Sequence, residues 1–227
     1  VNNIRFQIEK NTTLGLLGPN GCGKTTSIGM MLGLITPTSG KIFINGVNFE
    51  QKNRIELLSS MNFASPYIEL PKKLSVKQNL EVYARLYGVK KISQRIDEMI
   101  VDLNLQNFLN KKTGELSSGQ KNRVSLAKSL INKPRLLFLD EPTASLDPDI
   151  GDFVREYIER YKKKNELTIL LASHNMREVE RLCNKVIMMK NGQIVDSGTC
   201  SELIKKHGRE NLEDTFLKIA RSKNELE

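Results

Sequence analysis

Gly18-Pro19-Asn20-Gly21-Cys22-Gly23-Lys24-Thr25 is the stretch that decides how this chain is read. It fits G-x-x-x-x-G-K-[ST]. It lies between a short apolar run, Leu14-Gly15-Leu16-Leu17, and a segment from Lys24 to Leu34 with helical periodicity. Glycines let a backbone wrap closely, so its N–H groups point inward at an anion, and the positive end of the following helix adds to them. Phosphate oxygens suit such a turn: Lys24 would bridge β- and γ-phosphates and the Thr25 hydroxyl would ligate magnesium. A chance match in a chain of this composition is on the order of one in a hundred, and the placement between strand and helix lowers that further. Gly18, Pro19, Asn20, Gly21, Cys22, Gly23, Lys24, Thr25 and Thr26 are therefore the candidate nucleotide-binding residues. Cys22 has two readings, a small filler or a thiol made reactive by the helix N-terminus.

Outward from this turn, strands and helices alternate. Leu14 to Leu17 reads as a buried parallel strand, and the alternating Ile4-Arg5-Phe6-Gln7-Ile8 as a half-buried one. Pro37-Thr38-Ser39-Gly40 breaks the chain, and Lys41 to Ile44 followed by Asn45-Gly46 predicts a strand and hairpin turn. From Leu74 to Leu109 the periodicity is helical, through Val76, Leu80, Val82 and Leu86 and then Ile96, Met99, Ile100 and Leu103, with Gly88 between the two helices. Leu136 to Leu139 and Thr168 to Leu171 are short apolar strands. Val186 to Met189 and Gln193 to Val195 form a hairpin about Asn191-Gly192, and Ser201 to Arg221 holds two short helices. The alternation predicts an α/β fold with a mainly parallel sheet covered on both faces.

Arg135-Leu136-Leu137-Phe138-Leu139-Asp140-Glu141-Pro142 is an apolar strand ending in two carboxylates. In open α/β sheets, ligands bind at the carboxyl ends of strands. Asp140 would hold magnesium, directly or through water, and Glu141 would polarise an attacking water. A strand followed by an ordinary polar turn has the same residues. Beside the Gly-rich turn, the pair becomes the second half of a nucleotide site.

Bulk properties narrow the class. With 227 residues, 39% hydrophobic and 27% charged, the chain suffices for one large domain or a domain with a subdomain. Mean hydropathy is -0.37, and no apolar run approaches the roughly 20 residues of a bilayer-spanning helix. The chain starts VNNIRFQIEK, without a secretory leader and without Met. Cys22, Cys183 and Cys200 are far apart and form no CxxC pair, which argues against a disulfide framework or zinc site and for a reducing compartment. The net charge of +9 suits nucleic acid, an anionic leaflet or phosphates, but the lysines come as scattered doublets and one triplet, Lys162 to Lys164. Solvated helix faces account for that pattern. With no Trp, base-stacking platforms are not suggested, and no nucleic-acid partner is expected.

Further motifs carry a family resemblance. Leu116-Ser117-Ser118-Gly119-Gln120 resembles the ABC signature sequence, Ala144-Ser145-Leu146-Asp147-Pro148 the family's D-loop, and Ser173-His174 its switch histidine. Gly-rich turn, signature, acidic strand, D-loop and histidine stand in family order over essentially the whole chain. The resemblance implies a RecA-like P-loop NTPase core with an antiparallel β subdomain and a helical subdomain. One domain over 1–227 would then divide into core and β subdomain (1–64 and 132–200), helical subdomain (65–131) and C-terminal helices (201–227). It implies an ATP- and magnesium-dependent ATPase, with Glu141 and His174 catalytic and Asp140 and Thr25 on the metal. Ser117, Ser118, Gly119 and Gln120 would contact the ATP of a second cassette, and Asp147 would lie at the dimer seam. Read alone, Leu116 to Gln120 is a good helix N-cap and His174 a polar strand cap.

One Gly-rich turn and one signature per chain imply a homodimer or heterodimer of cassettes. A separate permease would hold the chain at the cytoplasmic face of a membrane. Residues 65–88, with Tyr67, Leu70, Pro71, Tyr83 and Tyr87, either receive a permease helix or pack the helical subdomain. The tail from Leu212 to Leu217 and the ASLDPDI run resemble single-cassette bacterial exporters. Two departures stand out. The family's magnesium-ligating Gln is replaced by Ser65, a hydroxyl of shorter reach, and the adenine-stacking aromatic is expected upstream of Val1. The alternatives are a soluble ABC protein acting on ribosomes or nucleic acid, which usually fuses two cassettes, and a weakly hydrolysing regulatory cassette.

Overall fold

The computed structural model describes residues 1–66, 68–144 and 146–221; Tyr67 and Ser145, named above, lie outside them. In chain order the elements are β1 (Thr13–Leu17), α1 (Lys24–Met31), β2 (Phe43–Ile44), β3 (Val47–Asn48), α2 (Arg54–Ser59), β4 (Met61–Ala64), α3 (Val76–Leu86), α4 (Ile92–Asp102) and α5 (Ser118–Leu130). There follow β5 (Leu136–Asp140), α6 (Pro148–Asn165), β6 (Thr168–Ala172), α7 (Met176–Leu182), β7 (Lys185–Lys190), β8 (Gln193–Gly198), α8 (Cys200–His207) and α9 (Leu212–Arg221). Two compact units result, one of Val1–Ile42 with Thr168–Glu227 and one of Phe43–Leu167.

The first unit is built on strands in the order β6-β1-β7-β8. β1 pairs in parallel with β6, Thr13 opposite Ile169, and with β7, Leu14 opposite Lys185. All five residues of β1 are buried, as an unbroken apolar strand requires when both its faces are covered. β7 and β8 are antiparallel, joined by Asn191 and Gly192 at φ 49 and 79, the left-handed pair that a two-residue hairpin turn needs. Below the sheet, Leu17, Val179, Val186, Met188, Leu203, Leu212 and Ile219 form a buried cluster that anchors α7, α8 and α9. Burial of these aliphatic side chains, about 1.5–3 kcal/mol each, is what ties the C-terminal helices down.

Ile4 to Ile8 form no strand. Their alternation is real, since Ile4, Phe6 and Ile8 are half-buried while Arg5 and Gln7 are exposed. Both edges of β1 are, however, already occupied by β6 and β7. Alternation reports which way side chains face; it does not by itself supply a partner strand.

The second unit opens with the β2–β3 hairpin, turned at Asn45 and Gly46 with φ 52 and 79, and contains the parallel pair β4 and β5. α3 packs on α4 and α5 through fully buried residues such as Val76, Leu80 and Met99. α3 begins with a capping box between Ser75 and Gln78. The buried Arg95 of α4 donates to the carbonyls of Leu130 at 2.6 Å and Ile131 at 3.1 Å, satisfying the open carbonyl end of α5. Without that guanidinium, the end of α5 would lose two buried acceptor contacts.

Candidate nucleotide site

The Gly-rich turn leads from β1 into α1. Cys22 N–H donates to the Pro19 carbonyl at 3.2 Å, and Gly21 and Gly23 sit at φ 79 and 107, where L side chains are strained. Gly23 caps α1 with no side-chain bond, so the first-turn N–H groups of α1 are the donors this turn presents. Lys24 is buried, and its ammonium donates to the carbonyls of Gly18 at 2.7 Å and Pro19 at 3.2 Å. That contact draws the positive charge across the turn rather than out to solvent. Asn20, Gly21, Thr25 and Thr26 are exposed and Pro19 is half-buried. Cys22 is only 3% exposed, with Sγ 4.0 Å from the Lys24 ammonium, so a reagent must open the turn to reach it.

The turn is propped from far along the chain. Gly192 N–H donates to the Cys22 carbonyl at 3.0 Å. At Gly18 an added Cβ would lie 2.5 Å from the Met189 carbonyl oxygen and 2.3 Å from Cys22 Sγ. Gly18 is therefore a glycine because β7 passes against it. The sequence places Met189 and Gly192 in a hairpin, but no local signal links them to the Gly-rich turn some 170 positions earlier.

His174, also in the first unit, follows β6 and is exposed. Its turn is braced from beneath: Ser173 Oγ donates to Glu178 at 2.5 Å and accepts from Asn175 N–H at 3.1 Å, and both Ser173 and Glu178 are fully buried. Asn175 in turn accepts from Glu178 N–H, capping α7. The Asn175-x-x-Glu178 spacing is a local signal for the N-cap of α7, though not for the Ser173–Glu178 bond beneath it.

In the second unit, Asp140 ends β5 and is buried. Glu141 is half-buried and stands at φ 54, a left-handed backbone that costs a non-glycine residue about 1–3 kcal/mol and persists only where neighbours hold it. Its carbonyl accepts from Ala144 N–H at 3.0 Å. Ser65 follows β4, is buried, and lines a small pocket with Asn122, Pro142 and Val154. Ser117 and Gln120 form a full capping box at the start of α5, Gln120 N–H to Ser117 Oγ at 3.3 Å and Ser117 N–H to Gln120 Oε1 at 3.1 Å. Ser117 and Ser118 are exposed, while Gly119 is buried where a Cβ would meet Ile150 of α6 at 2.7 Å. Asp147 is exposed at the N-cap of α6, its side chain making no capping bond and its carbonyl accepting from Gly151 N–H at 2.9 Å. The first unit thus carries the Gly-rich turn and His174; the second carries Ser65, the acidic strand end, the signature helix and Asp147.

A family model described as ABC transporter matches residues 1–144. The chain belongs to the ABC transporter family. It is an ATP-binding cassette of that family, and an ATPase. This cassette is 33% identical to the ABC transporter ATP-binding protein NatA of Bacillus subtilis, over 96% of the chain and 89% of that protein. It is 35% identical to the Nod factor export ATP-binding protein I of a Rhizobium species, over 91% of the chain and 68% of that protein. A glycine betaine/carnitine/choline transport ATP-binding protein of Bacillus subtilis, OpuCA, is 32% identical over 94% of the chain and 57% of its own length. A solved structure of the ATP-binding subunit of an ABC transporter superposes with a TM-score of 0.86, covering 95% of the cassette and 91% of that chain. Its 24% identity speaks for the fold alone, the RecA-like α/β core of such cassettes. Among the described residues, no helix is long and apolar enough to cross a membrane.

Proposed function

We propose that this cassette binds ATP with Mg2+ in its Gly-rich turn, pairs with a second cassette, and hydrolyses ATP to drive export through a separate membrane permease. The observation that carries this is the turn itself: left-handed Gly21 and Gly23, the uncapped amides of α1, and the Lys24 ammonium drawn inward onto Gly18 and Pro19. A triphosphate is the anion that such a set of donors suits. Thr25 and Asp140 offer a hydroxyl and a carboxylate, hard oxygen donors that suit Mg2+, with Ser65 as a second hydroxyl. The ion, when bound, neutralises charge on the phosphates.

Glu141 takes the proton of a water that attacks the γ-phosphorus as the bond to the ADP oxygen breaks, and His174 helps orient that water. Ser117 already accepts from Gln120 N–H, so its own hydroxyl proton is the one to offer an anion. With Ser118, Gly119, Gln120 and the positive end of α5, it would receive the nucleotide of a second cassette across a seam containing Asp147. The functional division we propose is a catalytic core with β subdomain of about 1–64 and 132–200, a helical subdomain of about 65–131 and C-terminal helices of about 201–227. Within residues 65–88, Ile68, Val82 and Leu86 are exposed apolar side chains, which supports permease docking there and a location at the cytoplasmic face of the membrane. Similarity to a Nod factor export protein supports the direction.

The test is the ATPase rate of wild type and Glu141→Gln, with sizing of the ATP-trapped variant. A fast wild type, a slow variant and a trapped dimer are expected. A wild type as slow as the variant overturns the motor role, and a monomeric trapped form overturns the shared site. ATP-dependent uptake into inverted vesicles, with the permease present, tests export.

A further inference from the structure

We propose that Asn122, on α5, is a positioning residue for Glu141. Its side-chain amide donates to the Pro142 carbonyl at 2.6 Å, and Pro142 directly follows Glu141. The Glu141–Pro142 link has no N–H by which it could be held, so the Pro142 carbonyl, one residue on, is a backbone group close to Glu141 that a donor can grip. Glu141 needs such a grip because it stands left-handed at φ 54. Within the turn, Ala144 N–H bonds the Glu141 carbonyl and Leu146 N–H the Thr143 carbonyl. Asn122 adds a tie from a different element, 20 residues away in sequence.

The helix that supplies this tie is itself well anchored. Val124, Leu126 and Ala127 are buried, and Gly119 lies so close to Ile150 of α6 that a Cβ there would approach to 2.7 Å. α5 therefore abuts both the Glu141 turn and the helix that follows it. Asn122 is two residues beyond Gln120 and five beyond the N-cap Ser117 on the same helix, so a shift at the signature end of α5 moves the amide that grips Pro142. Nucleotide contact at the signature is in this way passed to the carboxylate of the same chain. The inference rests on the proposed role of Glu141 as the base that takes the proton of the attacking water.

Asn122→Asp keeps the shape and removes the donor, and Asn122→Ala removes the group altogether; either suffices if the other fails to fold. Each is measured for kcat, KM for ATP with Mg2+, thermal midpoint and ATP-trapped dimerisation, alone and in the Glu141→Gln background. The expected result is a kcat lower by on the order of ten- to a hundred-fold, with KM within about two-fold and the trapped dimer intact. In the Glu141→Gln background the Asn122 change has no further effect on residual hydrolysis, because its influence runs through Glu141. An unchanged kcat, or an equal further loss in that background, overturns the inference while leaving the role of Glu141 standing. A Glu141→Gln variant as fast as wild type overturns both.

Discussion

Gly18→Ala is predicted to damage the nucleotide turn through its backbone support rather than through any lost contact to phosphate. The added Cβ would sit 2.5 Å from the Met189 carbonyl oxygen and 2.3 Å from Cys22 Sγ. The thiol can swing away; the carbonyl belongs to β7 and cannot move alone. It must retreat by nearly an ångström to reach the 3.4 Å at which ordinary contact begins. β7 ends in the turn whose Gly192 N–H holds the Cys22 carbonyl, so the retreat pulls away the prop of the Gly-rich turn. Overpacking of this kind costs about 1–3 kcal/mol, or about 2–12 °C in thermal midpoint at this chain length. ATP affinity falls with it, because donors displaced by that distance no longer converge. Differential scanning fluorimetry and equilibrium binding of a fluorescent ATP analogue read the two effects. Two companions isolate the cause. Cys22→Ala added to Gly18→Ala relieves only the sulfur contact and restores part of the loss. Gly21→Ala meets nothing within 4 Å and bears only the strain of φ 79, about 1 kcal/mol. Full rescue by Cys22→Ala, or a Gly18→Ala variant that binds and melts like wild type, would refute the role given to Met189.

Asp196 of β8 is buried and accepts from Lys206 at 2.7 Å and His207 at 2.6 Å, both on α8. Burial disfavours its charge, but Lys206, His207 and the Ser197 N–H outweigh burial and hold its carboxyl below the usual range. Its folded value being depressed, its stabilisation is complete above the unfolded value of about 4 and is lost as pH falls through the folded one. Asp196→Asn should lower stability at pH 7 by about 1–2 kcal/mol and flatten the acid limb of a melting-point-against-pH profile; an unaltered acid limb would count against this. Complete alkylation of Cys22 should abolish ATP binding by wedging the turn open, whereas Cys22→Ala should bind normally. Unchanged nucleotide affinity after full modification, verified by mass spectrometry, would refute that.

Much of the fold follows from short-range pattern. Asn45-Gly46 and Asn191-Gly192 both turn left-handed as their residue types favour, and both close hairpins. The helical spacing after Leu74 gives α3 and α4, and Ser117-x-x-Gln120 forms the capping box its spacing encodes. Ile4 to Ile8 show the limit of pattern, because facing is encoded locally and pairing is not. The N-cap of α7 is encoded within four residues by Asn175-x-x-Glu178, whereas the tie from Asn122 to Pro142 spans 20 and has no local signal.

The amino-acid order alone determined where the glycines of the proposed nucleotide turn stand, which strand ends in carboxylates and which family the motifs spell, because each motif is a local arrangement of residue types within about eight positions. The tertiary structure alone decided that Met189 and Gly192 prop that turn, that Glu141 is held in a left-handed backbone, and that α5 grips the peptide beside it. Those depend on packing and hydrogen bonds between segments distant in the chain. Such contacts exist only once the chain has folded and leave no periodic trace in its sequence.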